Sequence, residues 1–124
     1  PTYSTAKNIL TVGAVNGISN GYSSPAGVVM SDFSSWGPTD DGRIKPDIVG
    51  CGVNVFSCGS ASDNSYVTQS GTSMAGPSVA GSCLLLQEIY SNTHNQKVMK
   101  SASLKGLVIH TADECFNPER STGR

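Results

Sequence analysis

The chain has 124 residues, of which 37% are hydrophobic and 14% charged, with a formal net charge of -1. A charge content well below the ~25% of an ordinary soluble domain, with no excess of basic residues, argues against nucleic acid and anionic membrane as partners. No apolar run approaches the ~20 residues of a membrane helix, and no basic and then apolar leader opens the chain at Pro1.

Ile9-Leu10-Thr11-Val12-Gly13-Ala14-Val15 is a near-continuous apolar run, the pattern of a strand buried on both faces. Asn16-Gly17 and Asn20-Gly21 mark turns, so residues 16–31 read as a loop with an edge strand at Val28-Val29-Met30. Residues 34–42 are dense in turn formers. Asp47 to Gly50 and Val53 to Phe56 are two further strands, separated by Cys51-Gly52, and Tyr66 to Ser70 is another short one.

The helices come next. No charge stands between Asn64 and Gln87. Inside that window, residues 73 to about 90 are small or apolar on every side, which predicts a buried helix. Gly76 and Gly81 would let neighbouring backbones come close. A second, amphipathic helix is predicted from about Gln96 to Ile109, with Val98, Met99, Ala102, Leu104, Leu107, Val108 and Ile109 set against Lys97, Lys100 and Lys105. Strands followed by helices imply an α/β layered fold. The chain holds too little material to cover its central helix. It therefore reads as the C-terminal portion of a larger domain over residues 1–114, followed by a polar tail at 115–124.

The four cysteines, Cys51, Cys58, Cys83 and Cys115, form no CxxC pair and lack zinc spacing with the two histidines. A tight bend could join Cys51 to Cys58, and a disulfide there would suit an oxidising, secreted setting. Separate thiols are the alternative. Cys83 reads as a small apolar residue in the helix, and Cys115 is left open between pairing and a free thiol.

Ser73 stands at the entrance of the apolar helix, after Gly71 and after Thr72 as the expected N-cap. The first N–H groups of a helix are unpaired and carry the positive end of its dipole. A hydroxyl placed there can attack a carbonyl while adjacent N–H groups receive the oxyanion. Pro77 has no N–H with which to bond the Ser73 carbonyl, so the first turn is loosened. A plain helix start is the simpler alternative for any Gly-x-Ser. The uncharged flanks, the spacing of Gly71, Gly76 and Gly81, and the proline together favour a functional serine.

The segment GTSMAGPSVAG at Gly71 to Gly81 resembles the nucleophile segment of the subtilisin-like serine proteases, usually GTSMAxPHVAG. Asp32 to Pro38 is similar to their FSSxGP segment, Lys45 to Ile48 to KPDIxAPG, Ile9 to Val15 to (I/V)xxVGAV, and Leu104 to Asp113 to LKxxLxxTA. All occur in the family's order over about residues 1–114. The resemblance implies part of a parallel-sheet, three-layer helix/sheet/helix domain, incomplete in this chain. It also implies a secreted serine endopeptidase acting on peptide or protein substrates, with no cofactor required. Ser73 would be the nucleophile and its backbone N–H an oxyanion donor. Ser78 replaces a non-catalytic His of the pattern, and Gly50-Cys51-Gly52 replaces its APG turn.

No His precedes Ser73, so the triad Asp and His are expected upstream of Pro1, in an N-terminal half that is a necessary partner. The chain alone is then expected to be inactive. The rival reading is a non-catalytic fragment or degenerate homologue serving as a scaffold or binding module. The order Ser73, Glu88, His94 or His110 formally fits an α/β-hydrolase triad, but Gly71-x-Ser73-x-Ala75 lacks the second glycine of that motif. His94 reads as solvated and His110 as a helix-end donor. Some relatives hold calcium or another structural cation on the acid aligned with Asp47 and on carbonyls near Lys7 and Ile9. Local pairing of Asp47 with Lys45 or Arg43 is the alternative, and Asp40-Asp41-Gly42 reads as a turn.

Overall fold

A computed structural model of the protein describes residues 2–113. Cys115 and the tail expected at 115–124 lie outside the described residues. Strand β1 (Val12–Val15) pairs in parallel with β2 (Ile48–Cys51), from Val12 opposite Ile48 to Val15 opposite Cys51. A separate antiparallel hairpin joins β3 (Val55–Cys58) to β4 (Tyr66–Gln69). Helices α1 (Thr72–Thr93) and α2 (Ser101–His110) complete the order. This is the α/β arrangement that the strand and helix patterns predict.

The parallel pair is the floor on which α1 rests. Ala14 and Val15 of β1 are buried with Ala75 and Val79 of α1, and Val108 of α2 is buried as well. The glycines that permit this contact lie in and beside β2. A Cβ on Gly50 would come within 2.9 Å of Val79 Cγ2, and one on Gly52 within 2.7 Å of the Gly71 carbonyl. Gly76 and Gly81, expected to play that part, have nothing within 4 Å of a built Cβ. They face away from the sheet, so close packing is carried by the strand glycines.

The far edge of β1 is finished by serine hydroxyls instead of a strand. Ser34 Oγ accepts from the Ala14 N–H at 3.0 Å, and Ser31 Oγ donates to the Ala14 carbonyl at 3.1 Å. Both serines are buried. The edge strand expected at Val28-Val29-Met30 is reduced to one bridge between Val15 and Met30.

The expectation that the chain holds too little material to cover its central helix is met: only Ala75 and Val79 of α1 are buried, while Leu84, Leu85 and Ile89 are 71%, 61% and 62% exposed. Among the described residues, the sheet covers one side of α1 and the opposite side faces solvent. Helix α2 begins at Ser101, not near Gln96, because Gln87 holds the preceding segment. Its side-chain amide donates to the Met99 carbonyl at 2.9 Å and accepts from the Met99 N–H at 2.8 Å. Asn95 and Gln96 have φ of 54° and 60°, which breaks the helical path before it. Finally, Cys51 and Cys58 are free thiols, as is Cys83. Cys51 ends the parallel pair and Cys58 ends a strand of the separate hairpin, so no tight bend joins them.

Candidate active site

Ser73 is the second residue of α1, and its position follows from one junction. The chain leaves β2 at Gly52, makes the hairpin and returns at Gly71, whose N–H donates to the Gly52 carbonyl at 2.8 Å. Gly71, not Thr72, is the N-cap, with φ 159° and ψ 161°, a combination that essentially only glycine adopts. Its carbonyl accepts from the N–H groups of Met74 at 3.0 Å and Ala75 at 3.4 Å. The helix is thereby anchored to the end of β2 immediately before the serine.

The Ser73 side chain is exposed. Together with Thr72 and Gly76 it borders an open groove of about 400 Å³, whose other wall includes Tyr3, Ser4 and Leu10. A larger hollow of about 500 Å³ lies beside the 33–46 loop and is bordered by Thr72 but not by Ser73. The groove at Ser73 is the one from which a molecule in solution can reach the hydroxyl. At the start of a 22-residue helix, the unpaired N–H groups and the dipole favour negative charge at this point. Pro77 lies within α1, where its missing N–H leaves the Ser73 carbonyl without its usual helical donor.

Neither histidine lines the groove at Ser73. His94 caps the far end of α1, about 30 Å along the axis from Ser73 at ~1.5 Å per residue. There its ring stacks on Tyr90 at 3.9 Å, and Nδ1 lies 3.0 Å from the Tyr90 carbonyl and 2.8 Å from Thr93 Oγ1. His94 is exposed, as the polar composition of residues 91–95 suggested, and its ring lies against its own helix. His110 is the exposed last residue of α2. Glu88 projects from the exposed middle of α1. An α/β-hydrolase triad within the chain is excluded by this geometry for Glu88 and His94.

Asp47 stands just before β2 in a cluster of cations and carbonyls. Its Oδ2 accepts from the Thr11 N–H at 2.7 Å and from Lys45 Nζ at 2.6 Å. Its Oδ1 lies 3.7 Å from Lys105 Nζ, and that ammonium donates to the carbonyls of Ile9 at 2.6 Å and Lys7 at 3.1 Å. Partial burial pushes the Asp47 carboxyl up, but the bonds from Lys45 and Thr11 and the charges of Lys45 and Lys105 outweigh it and hold the group below its ordinary value. Arg43 is engaged elsewhere, with Asp41 at 2.9 Å and the Thr5 carbonyl at 2.7 Å. The bond from Arg43, aided by one from Thr39, lowers the Asp41 carboxyl to about 2. The segment around Asp40-Asp41-Gly42 is therefore a turn closed by its own side chains.

Lys105 is the residue here that sequence reasoning assigned wrongly. It does not share a solvent-facing side with Lys97 and Lys100: its side chain is only 25% exposed and turns toward the 7–9 segment. Its place between Leu104 and Leu107 on a short apolar helix was the available signal. The oxygens suggested for a structural cation are thus already engaged by two ammonium groups, and a hard cation would have to displace one. In this structure the chain's own ammonium groups fill that position.

A parallel β-pair carrying a glycine-capped helix is an α/β arrangement, with Ser73 at the helix entrance. Residues 2–123 match the Subtilase family, and the chain belongs to it. It is similar to the PII-type proteinase of Lacticaseibacillus paracasei, 41% identical over 80 residues that make up 64% of this chain and 4% of that protein. It is similar also to the C5a peptidase of Streptococcus pyogenes, 48% identical over 69 residues that make up 56% of this chain and 6% of that one. The solved structure of the Clostridium perfringens CspB protease superposes with a TM-score of 0.69 at 31% identity, covering 90% of this chain and 22% of that chain. The chain spans a small fraction of the length of these relatives and has the fold of part of a subtilase domain.

Proposed function

We propose that this chain carries the nucleophile segment of a secreted, subtilisin-like serine endopeptidase, with Ser73 as the attacking group. The observation that carries the reading is the exposed Ser73 hydroxyl at the N-terminus of α1, beside an open groove and fixed by the Gly52–Gly71 junction. In this reading Ser73 Oγ attacks a peptide carbonyl as a histidine from outside the chain takes its proton. The Ser73 N–H contributes to holding the oxyanion. The histidine then protonates the leaving amine, and water hydrolyses the acyl-enzyme. The relatives are named as proteinases and peptidases, which supports a peptide or protein substrate. The secreted setting rests on the resemblance alone.

Among the described residues no histidine or carboxylate lines the groove at Ser73, so the isolated segment is expected to be inert. The test is labelling with a fluorophosphonate probe. The full-length protein carrying this chain should label at Ser73, and Ser73→Ala should abolish it. Absence of labelling in folded full-length protein would instead support a scaffold or binding role. Labelling of the isolated chain would show that a base is supplied within it and would overturn the expected division of the triad.

A further inference from the structure

The cluster around Asp47 joins three parts of the chain that are remote in sequence. Lys7 and Ile9 precede β1, Lys45 and Asp47 precede β2, and Lys105 projects from α2. The Lys105 ammonium donates to Ile9 and Lys7 carbonyls at 2.6 and 3.1 Å and lies 3.7 Å from Asp47 Oδ1. Lys45 holds the other carboxylate oxygen at 2.6 Å and reaches the Ile9 carbonyl at 3.3 Å. The side chains of Lys45 and Asp47 are 9% and 12% exposed. Two positive charges therefore face one negative charge in a partly dry site, and a divalent ion entering it would meet net repulsion.

We propose that Lys105 is a tethered cation: its ammonium takes the place of a structural metal ion on Asp47 and the Lys7 and Ile9 carbonyls, and it fastens α2 to the entry of β1. An ammonium has three donors and a charge of one; here two donors meet carbonyls and the charge faces the carboxylate at 3.7 Å, much as a small bound cation would. The difference is that a bound ion can leave, whereas Lys105 is part of the chain. This assignment goes beyond the catalytic reading and does not depend on Ser73.

The test uses the full-length protein and compares melting temperatures in EDTA and in calcium. Calcium bound at other places appears equally in every variant, so the informative quantity is the change in the calcium-minus-EDTA difference. Lys105→Met should lower the melting temperature in EDTA by several degrees. The Lys45→Met/Lys105→Met double variant leaves the carboxylate uncompensated, and its calcium-minus-EDTA difference should exceed that of the wild type. Adding Asp47→Asn should remove this excess. An unchanged difference in the folded double variant would overturn the proposal, as would a wild-type calcium effect that Asp47→Asn alone erases.

A second measurement needs no substitution. Lysine acylation followed by mass spectrometry should find Lys105 slower to react than Lys97 and Lys100, with or without calcium. If calcium makes Lys105 as reactive as those two, the metal displaces the ammonium and the proposal fails.

Discussion

Gly52 shows how much one hydrogen atom in place of a side chain can decide. A Cβ there would lie 2.7 Å from the Gly71 carbonyl, 2.8 Å from Ala14 Cβ and 3.2 Å from Ala75 Cβ. Two of those contacts are closer than real Cβ atoms tolerate, and none involves the far end of a flexible side chain. Gly52→Ala should therefore destabilise the full-length protein by about 1–3 kcal/mol, as overpacking generally does. It should also push Gly71 outward and slow fluorophosphonate labelling of Ser73, so denaturant unfolding and labelling rate should fall together. A variant of wild-type stability and labelling rate would show that the junction does not position the serine. The nucleophile candidate itself was legible, because Gly71-Thr72-Ser73 opens the predicted helix inside an uncharged run. The supporting role of Gly52 was not, since a glycine after a strand reads equally well as an ordinary turn.

At the scale of elements, a side chain decides where a helix begins. Gln87 answers both backbone groups of Met99 and so keeps residues 97–100 out of the helix that their apolar spacing suggests. Gln87→Ala should leave these half-buried groups without partners, a cost of about 1–3 kcal/mol. Amide exchange at Met99 should accelerate selectively over that at Val108 in α2. Equal acceleration at both sites would mean that Gln87 acts only through global stability. The four strands of the structure were legible because short apolar runs between turn residues admit few alternatives, whereas the edge strand expected at Val28-Val29-Met30 came down to one bridge. The start of α2 was not, because it depends on an amide reaching across 12 positions, which no local periodicity records. Lys105 was misplaced for a similar reason. Its partners, the Lys7 and Ile9 carbonyls, are 98 and 96 positions away.

At the scale of the whole molecule, α1 is half clothed. Ala75 and Val79 meet the sheet, while Leu84, Leu85 and Ile89 face outward at 61–71% exposure. Burying side chains of this size is worth about 1.5–3 kcal/mol each, so the isolated chain should self-associate or bind a hydrophobic dye. Leu85→Glu with Ile89→Lys should reduce both in light scattering and dye fluorescence. An isolated chain that stays monomeric and dye-free would show that this face is tolerated in water. The Gly71–Gly52 hydrogen bond also has a bearing on how such a scaffold can diversify. The chain departs and returns at a single point, with a further tie from the Asn54 N–H to Ser70 Oγ at 2.8 Å. Everything between is an excursion whose length and sequence leave the departure and return points where they are. The hairpin of β3 and β4 is thus a natural grafting position, where new contacts can be tried without retuning the groove.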